Sequence, residues 1–153
     1  MILESVKATN FMHLREVDLP QVPQSTFFLG VNGQGKTTIL NAIRFCLCGR
    51  IYDNEGDRVQ NPKLIGHHGK SATIEVGVLV NGEHLKCVCT IAGSAKFTVL
   101  DAKGLPKWKG GSDEIRKQLW TFAAIDPRRA ECAMNPRAYV LSKELGVLLS
   151  ELV

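Results

Sequence analysis

The 153 residues are 44% apolar and 22% charged, a globular composition with room for one core, which excludes a disordered or fibrous chain. No run approaches the ~18 consecutive apolar residues of a membrane-spanning helix, and Met1-Ile2-Leu3-Glu4-Ser5-Val6-Lys7 lacks the basic-then-apolar layout of a secretory signal. A net charge of +4 is too small to announce a polyanionic partner, and five cysteines without scaffold-like spacing fit a reducing cytoplasm.

Residues 2–9 alternate and are rich in β formers, which predicts a first strand; Glu16 to Leu19 alternate again and stop at Pro20. Thr26-Phe27-Phe28-Leu29 is a continuous apolar run, the pattern of a central strand buried on both faces. From Thr37 to Cys48 the residues Ile39, Leu40, Ile43 and Leu47 recur at helical spacing, widened by Ala42 and Cys46, with Gly49 placed as a left-handed C-terminal cap. Residues 50–70 are rich in turn formers and read as a long loop of the kind that serves a binding motif. Two alternating runs, Ile74 to Val80 and Leu85 to Ile91, flank Asn81-Gly82 and predict a hairpin. A third strand spans Lys96 to Leu100, and Ser112-Asp113-Glu114 opens a helix with Ile115, Leu119 and Phe122 on its apolar stripe. After Asn135-Pro136, Leu141, Leu145, Leu148 and Leu152 open a heptad seam.

Gly30-Val31-Asn32-Gly33-Gln34-Gly35-Lys36-Thr37 matches G-x-x-x-x-G-K-[ST] between the apolar run and the helix. Glycines let the backbone coil so that its N–H groups reach phosphate oxygens without a Cβ in the way. Lys36 brings a point charge to the β- and γ-phosphates, the Thr37 hydroxyl is placed for Mg²⁺, and the helix adds the positive end of its dipole. The nucleotide-contacting candidates are Asn32, Gly33, Gln34, Gly35, Lys36, Thr37 and Thr38, with Thr37 also the Mg²⁺ candidate. No catalytic residue is assigned.

Two strands precede this loop and an antiparallel hairpin follows its helix. Ile2 to Phe11 ending in Asn10-Phe11, the segment Gly30 to Gly49, and Leu64 to Val76 with its hairpin resemble the N-terminal ATPase lobe of the Rad50/SMC/RecF/RecN-like group of ABC-type ATPases. The resemblance implies an α/β P-loop NTPase fold, with a mixed central sheet plus an antiparallel β-layer, ending in the start of a coiled-coil helix. Residues 1–153 would form a single lobe, with the coiled coil starting within 136–153. It also implies an ATP–Mg²⁺ binding half of a DNA-repair or chromosome-maintenance ATPase in the DNA-associated cytoplasm. Its expected partners are ATP, a C-terminal lobe of the same protein, a second copy in an ATP-bound dimer, DNA and a nuclease subunit, with no membrane.

Other parts of such an enzyme are missing from the sequence. Hydrolysis in this group needs an Asp-Glu pair at the end of an apolar strand, and Asp101 after Thr98-Val99-Leu100 is its nearest mimic. The group's glutamine-loop position falls near Ser142 or Lys143, where no Gln stands. Two alternatives stay open: a self-contained small P-loop kinase or NTPase using Asp101 or Asp126, and a non-hydrolysing nucleotide-dependent interaction module.

Cys46, Cys87 and Cys89 read as core thiols rather than metal ligands, His67-His68 as loop, and Asp126 and Glu131 as lone carboxylates. Between Lys103 and Lys143 nine Lys or Arg face four Asp or Glu, while the rest of the chain is nearly balanced. A shared surface of Lys103, Lys107, Lys109, Arg116, Lys117, Arg128 and Arg129 would suit nucleic acid. Trp108 within it is either a stacking or a packing residue, and Trp120 reads as core.

Overall fold

The computed structural model describes residues 1–134, apart from 24, 25, 27, 30, 32 and 54, and for 131–134 the backbone alone. Five strands, β1 (Ile2–Phe11), β2 (Leu14–Leu19), β3 (Ala72–Val80), β4 (Glu83–Ala92) and β5 (Ser94–Leu100), form one antiparallel sheet in the order β2-β1-β3-β4-β5. Period-two alternation divides its faces. Ile74, Val76, Val78 and Val80 on β3 are buried beside Leu85, Cys87, Cys89 and Ile91 on β4, with Ile74 opposite Cys89 and Val76 opposite Cys87. Asn81 and Gly82 take positive φ values of 51° and 80°, the two-residue turn whose twist matches the strands it joins. The other face carries water-facing ion pairs, Lys7 with Asp18 at 3.2 Å and Lys86 with Glu75 at 3.4 Å, and a hydrogen bond between His84 and Glu4 at 2.9 Å.

Among the described residues three α-helices, α1 (Lys36–Cys48), α2 (Ser112–Phe122) and α3 (Pro127–Met134), join the sheet in an α/β fold. α1 packs on β1, β3 and β4, and α2 on β5, so helices and sheet enclose one core between two layers. Ala42, Ile43, Phe45, Cys46 and Leu47 are the buried apolar residues of α1, and the Phe45 ring lies 6.3 Å from that of Phe11. Leu40, expected on this face, is exposed instead, because the buried stripe is centred on Cys46 and Leu40 lies about 120° round the helix from it.

The far end of α1 is closed by two side chains of α2. Arg116 Nε donates to the Cys46 carbonyl at 3.0 Å, and Trp120 Nε1 to the Leu47 carbonyl at 3.3 Å. Four residues apart, these side chains share one face of α2. They satisfy carbonyls that the end of a helix leaves unpaired. Gly49 follows in the left-handed region at φ 77°, and a Cβ there would stand 2.8 Å from Arg116 Nη1. The guanidinium also lies 4.5 Å from the centre of the Phe97 ring.

Ser112 does not cap α2 as the sequence suggests. Its hydroxyl accepts from the Phe97 N–H at 3.0 Å and donates to the Ala95 carbonyl at 3.2 Å, tying the helix to β5. Lys107 N–H continues this cover by donating to the Val99 carbonyl at 2.8 Å. The loop of residues 50–70 is less irregular than its composition suggests: Ile51 and Leu64 are core residues, and a 3₁₀ turn spans Asn61–Leu64. α3 comes unannounced by apolar periodicity, although Asp126-Pro127 is a start signal, with the Asp126 side chain accepting from the Arg128 N–H at 2.8 Å.

Within the expected central strand, Thr26, Phe28 and Leu29 join none of the five strands, and Leu29 is 91% exposed rather than buried on both faces. Burial of a strand on both faces requires paired neighbours and a layer on each side; the described sheet is the antiparallel layer alone. The heptad seam from Leu141 and the glutamine-loop position at Ser142 and Lys143 lie outside the described residues.

Candidate nucleotide site

The phosphate loop leads directly into α1. Gly33 and Gly35 adopt φ of 88° and 84°, a region that costs side-chain-bearing residues strain, and Gly35 is the N-cap of the helix. Glycine offers no side-chain acceptor, and α1 accordingly starts without a side-chain cap. An anion is the natural replacement, because N–H groups at a helix start and the helix dipole both favour negative charge. Gly35 also admits a neighbour: a Cβ on it would lie 2.8 Å from a terminal methyl of Leu14, which sets β2 against the loop.

The loop braces itself. Gln34 Oε1 accepts from the Val31 N–H at 3.2 Å, and Lys36 Nζ donates to the Val31 carbonyl at 2.8 Å, bringing the ammonium back over the loop. Thr37 is exposed on the first turn of α1, whereas Thr38 is buried. Gly33, Gln34, Gly35, Lys36 and Thr37 are thus brought together at the surface, while Thr38 is turned toward the core; Gly30 and Asn32 lie outside the described residues. The Thr37 hydroxyl is a hard oxygen donor of the type Mg²⁺ takes alongside phosphate oxygens.

One residue at the end of β1 was not singled out by its chemistry in the sequence. Asn10, 5% exposed with φ 53° at the end of β1, holds the 66–71 loop from three directions. Its Nδ2 donates to the Ser71 carbonyl at 2.8 Å, its Oδ1 accepts from the His68 N–H at 3.0 Å, and its carbonyl accepts from the Gly66 N–H at 2.8 Å. A buried amide that pairs both its nitrogen and its oxygen in this way fixes geometry. The signal available in sequence was an Asn ending a β-rich run, since Asn tolerates positive φ.

The carboxylates proposed for a self-contained enzyme have other work. Asp101 Oδ1 accepts from the Lys103 and Leu105 N–H groups, both at 2.9 Å, in a turn after β5, the sheet edge opposite β2 and the phosphate loop. Asp126 caps α3. Cys46, Cys87 and Cys89 are buried thiols; burial pushes Cys46 and Cys89 up and Cys87 up to about 12. Among the described residues no group of three or more His, Cys, Asp or Glu is arranged to hold a metal, and His67 and His68 are exposed loop residues.

The basic half does not fold into one surface. Arg116 is buried, and Lys107 pairs with Glu83 and sits over the rings of Trp108 and Phe122. Trp108 meets Phe122 edge-on at 5.7 Å and is a packing residue, as is buried Trp120. Lys103, Lys109, Lys117, Arg128 and Arg129 remain exposed.

The chain is similar to known proteins over most of its length. The AAA domain family matches residues 5–116. The chain is 26% identical over 155 aligned positions to the DNA replication and repair protein RecF of Listeria monocytogenes, covering 95% of this chain and 38% of that protein. It is 33% identical over 87 positions to the protein of the same name from Lactobacillus acidophilus, covering 52% and 23%. It therefore spans little more than a third of the length of the first of these relatives. Among solved structures, the ATP complex of the recombination mediator protein RecF superposes with a TM-score of 0.50 at 20% identity, over 72% of this chain and 28% of that one. Among the described residues no helix is long and apolar enough to cross a membrane. The chain belongs to the AAA domain family.

Proposed function

We propose that this lobe binds ATP with Mg²⁺ through Gly33, Gln34, Gly35, Lys36 and Thr37, and serves a DNA-repair or chromosome-maintenance ATPase whose hydrolysis needs a C-terminal lobe and a second copy. The observation that carries it is the glycine-capped start of α1 with Lys36 folded over a left-handed loop. Backbone N–H groups and Lys36 would hold the phosphates, and Thr37 the Mg²⁺, which when bound offsets phosphate charge. Thr38 takes no direct part, since it is buried. A small kinase using Asp101 or Asp126 is disfavoured, because both carboxylates are bonded to backbone N–H groups of their own turns.

Completion by a C-terminal lobe has its own support. Two apolar grooves of about 350 and 380 Å³ share Met1, Leu3 and Ile43, and so run together along one side of α1, past Leu40 and Leu47. Leu29 and Val31, before and within the phosphate loop, are exposed. Contiguous apolar surface of this kind marks an interface, and relatives in which a chain like this is 38% of the length have a larger remainder to cover it. DNA and a nuclease subunit are further partners that the RecF relatives and the group resemblance suggest.

ATP turnover measured on the 153-residue chain, alone and extended with its downstream coding sequence, tests the reading. We expect background turnover from the chain alone and Lys36-dependent turnover from the extended protein. Lys36-dependent turnover by the chain alone would refute it.

A further inference from the structure

The phosphate loop reaches α1 through Gly33 and Gly35, and Gln34 is the side-chain-bearing residue between them. Glycines give the loop its left-handed turns, but they also leave the unliganded chain the most conformational freedom to lose when an anion orders it. The arm of the loop that carries Val31 gains little from packing, because Val31 is 72% exposed. At the other end Gly35 lies against Leu14 and α1 begins. Polar contacts cross from that end to the Val31 arm.

Three of these contacts meet on Val31. Its carbonyl accepts from the Gln34 N–H at 3.4 Å and from Lys36 Nζ at 2.8 Å, and its own N–H donates to Gln34 Oε1 at 3.2 Å. Gln34 thus engages both polar groups of the residue three positions back, a reciprocal pairing of the kind a capping box makes. Here it closes the phosphate loop ahead of the Gly35 N-cap. The carbonyl so oriented is the one that meets the Lys36 ammonium. A Gln side chain supplies its acceptor without charge, whereas a carboxylate at this position would repel the phosphates of a nucleotide.

We propose that Gln34 is a positioning residue for Lys36: its side chain fixes Val31, the Val31 carbonyl receives the ammonium, and the charge stands over the loop before ATP arrives. This rests on the nucleotide reading and adds to it a role for the side chain that the backbone N–H of Gln34 does not fill. Holding a glycine-rich loop in its binding shape reduces the ordering that binding must otherwise supply.

A double-mutant cycle tests it, using Gln34→Met because methionine keeps the length of the side chain and removes its acceptor. Gln34 is exposed, so the substitution puts little at risk in the fold. Binding of a fluorescent ATP analogue with Mg²⁺ is measured for the parent chain, Gln34→Met, Lys36→Ala and the double variant. Gln34→Met should weaken binding about fivefold in the parent chain, the loss expected for one ordinary hydrogen bond. In the Lys36→Ala background, with no ammonium to position, the same change should weaken it by less than about twofold. Without nucleotide, the Val31 amide should exchange its hydrogen faster in Gln34→Met, while the Ile39 amide, bonded to the Gly35 carbonyl at 3.0 Å, keeps its rate. Unchanged or tighter binding by Gln34→Met, equal fold losses in the two backgrounds, or an unchanged Val31 exchange rate would overturn the proposal. A Lys36→Ala chain that binds as tightly as the parent would remove the nucleotide reading itself, and the proposal with it.

Discussion

Lys36 Nζ and the Val31 carbonyl oxygen lie 2.8 Å apart, so the charged side chain of the phosphate loop is held over the loop by that loop's own backbone. We expect Lys36→Ala to weaken binding of a fluorescent ATP analogue by about a hundredfold, near the upper end for hydrogen bonds to charged groups. The far-ultraviolet circular dichroism should not change. Affinity equal to that of the parent chain, with the spectrum intact, would remove the phosphate loop from the site.

Arg116 is the opposite case, a charge placed by the core. Replacing it with Ala would leave the Cys46 carbonyl without this donor, open space above Gly49 and strip the Phe97 ring of its cation. Urea unfolding should show a loss of about 3 kcal/mol, combining an orphaned buried acceptor with a cavity. Lys117→Ala, one residue on and exposed, should change stability by less than about 0.5 kcal/mol. Equal effects from the two substitutions would mean that Arg116 does not secure the end of α1.

The buried thiols make stability fall in alkali. Burial raises Cys46, Cys87 and Cys89 in the folded chain, Cys87 from 9.0 to about 12. The unfolded chain then releases these protons first as pH rises. Their contribution is complete below pH 9 and is lost progressively toward pH 12 for Cys87, at a slope approaching 1.4 kcal/mol per pH unit per thiol. Unfolding free energies from pH 8 to 10.5 should fall, and more gently in Cys87→Ala. Iodoacetamide at pH 8 should leave these three cysteines unmodified in the native chain and label them in urea, as read by peptide mapping. An alkaline slope unaffected by Cys87→Ala would show that this thiol does not contribute.

Local patterns that depend only on neighbours in sequence were legible. Alternation located the hairpin of β3 and β4, Asn81-Gly82 located its turn, and glycine spacing located the left-handed loop that opens α1. What depended on distant partners was not legible. Arg116 looked like one of a run of surface cations because its acceptor lies 70 residues away on α1, and Ser112 looked like a cap because its true partners are on β5. Asn10 carried no periodic signal of its importance, since its role arises where β1 meets residues about 60 positions further on. The apolar run ending at Leu29 misled in the other direction, because hydrophobicity reports a demand for burial and not the layer that meets it.

The seal that Ser112 and Lys107 place along β5 also gives the lobe a direction. An incoming strand on that side would have to compete for donors and acceptors already engaged, so the sheet cannot easily be lengthened there by a neighbour. The apolar grooves beside Met1, Leu3 and Leu40 lie instead along the flank of α1. The apolar flank of α1, and not the β5 edge, is thus the surface left open to packing. Two copies that meet are accordingly steered away from open-ended edge-to-edge stacking through β5, the kind of contact that builds a fibre.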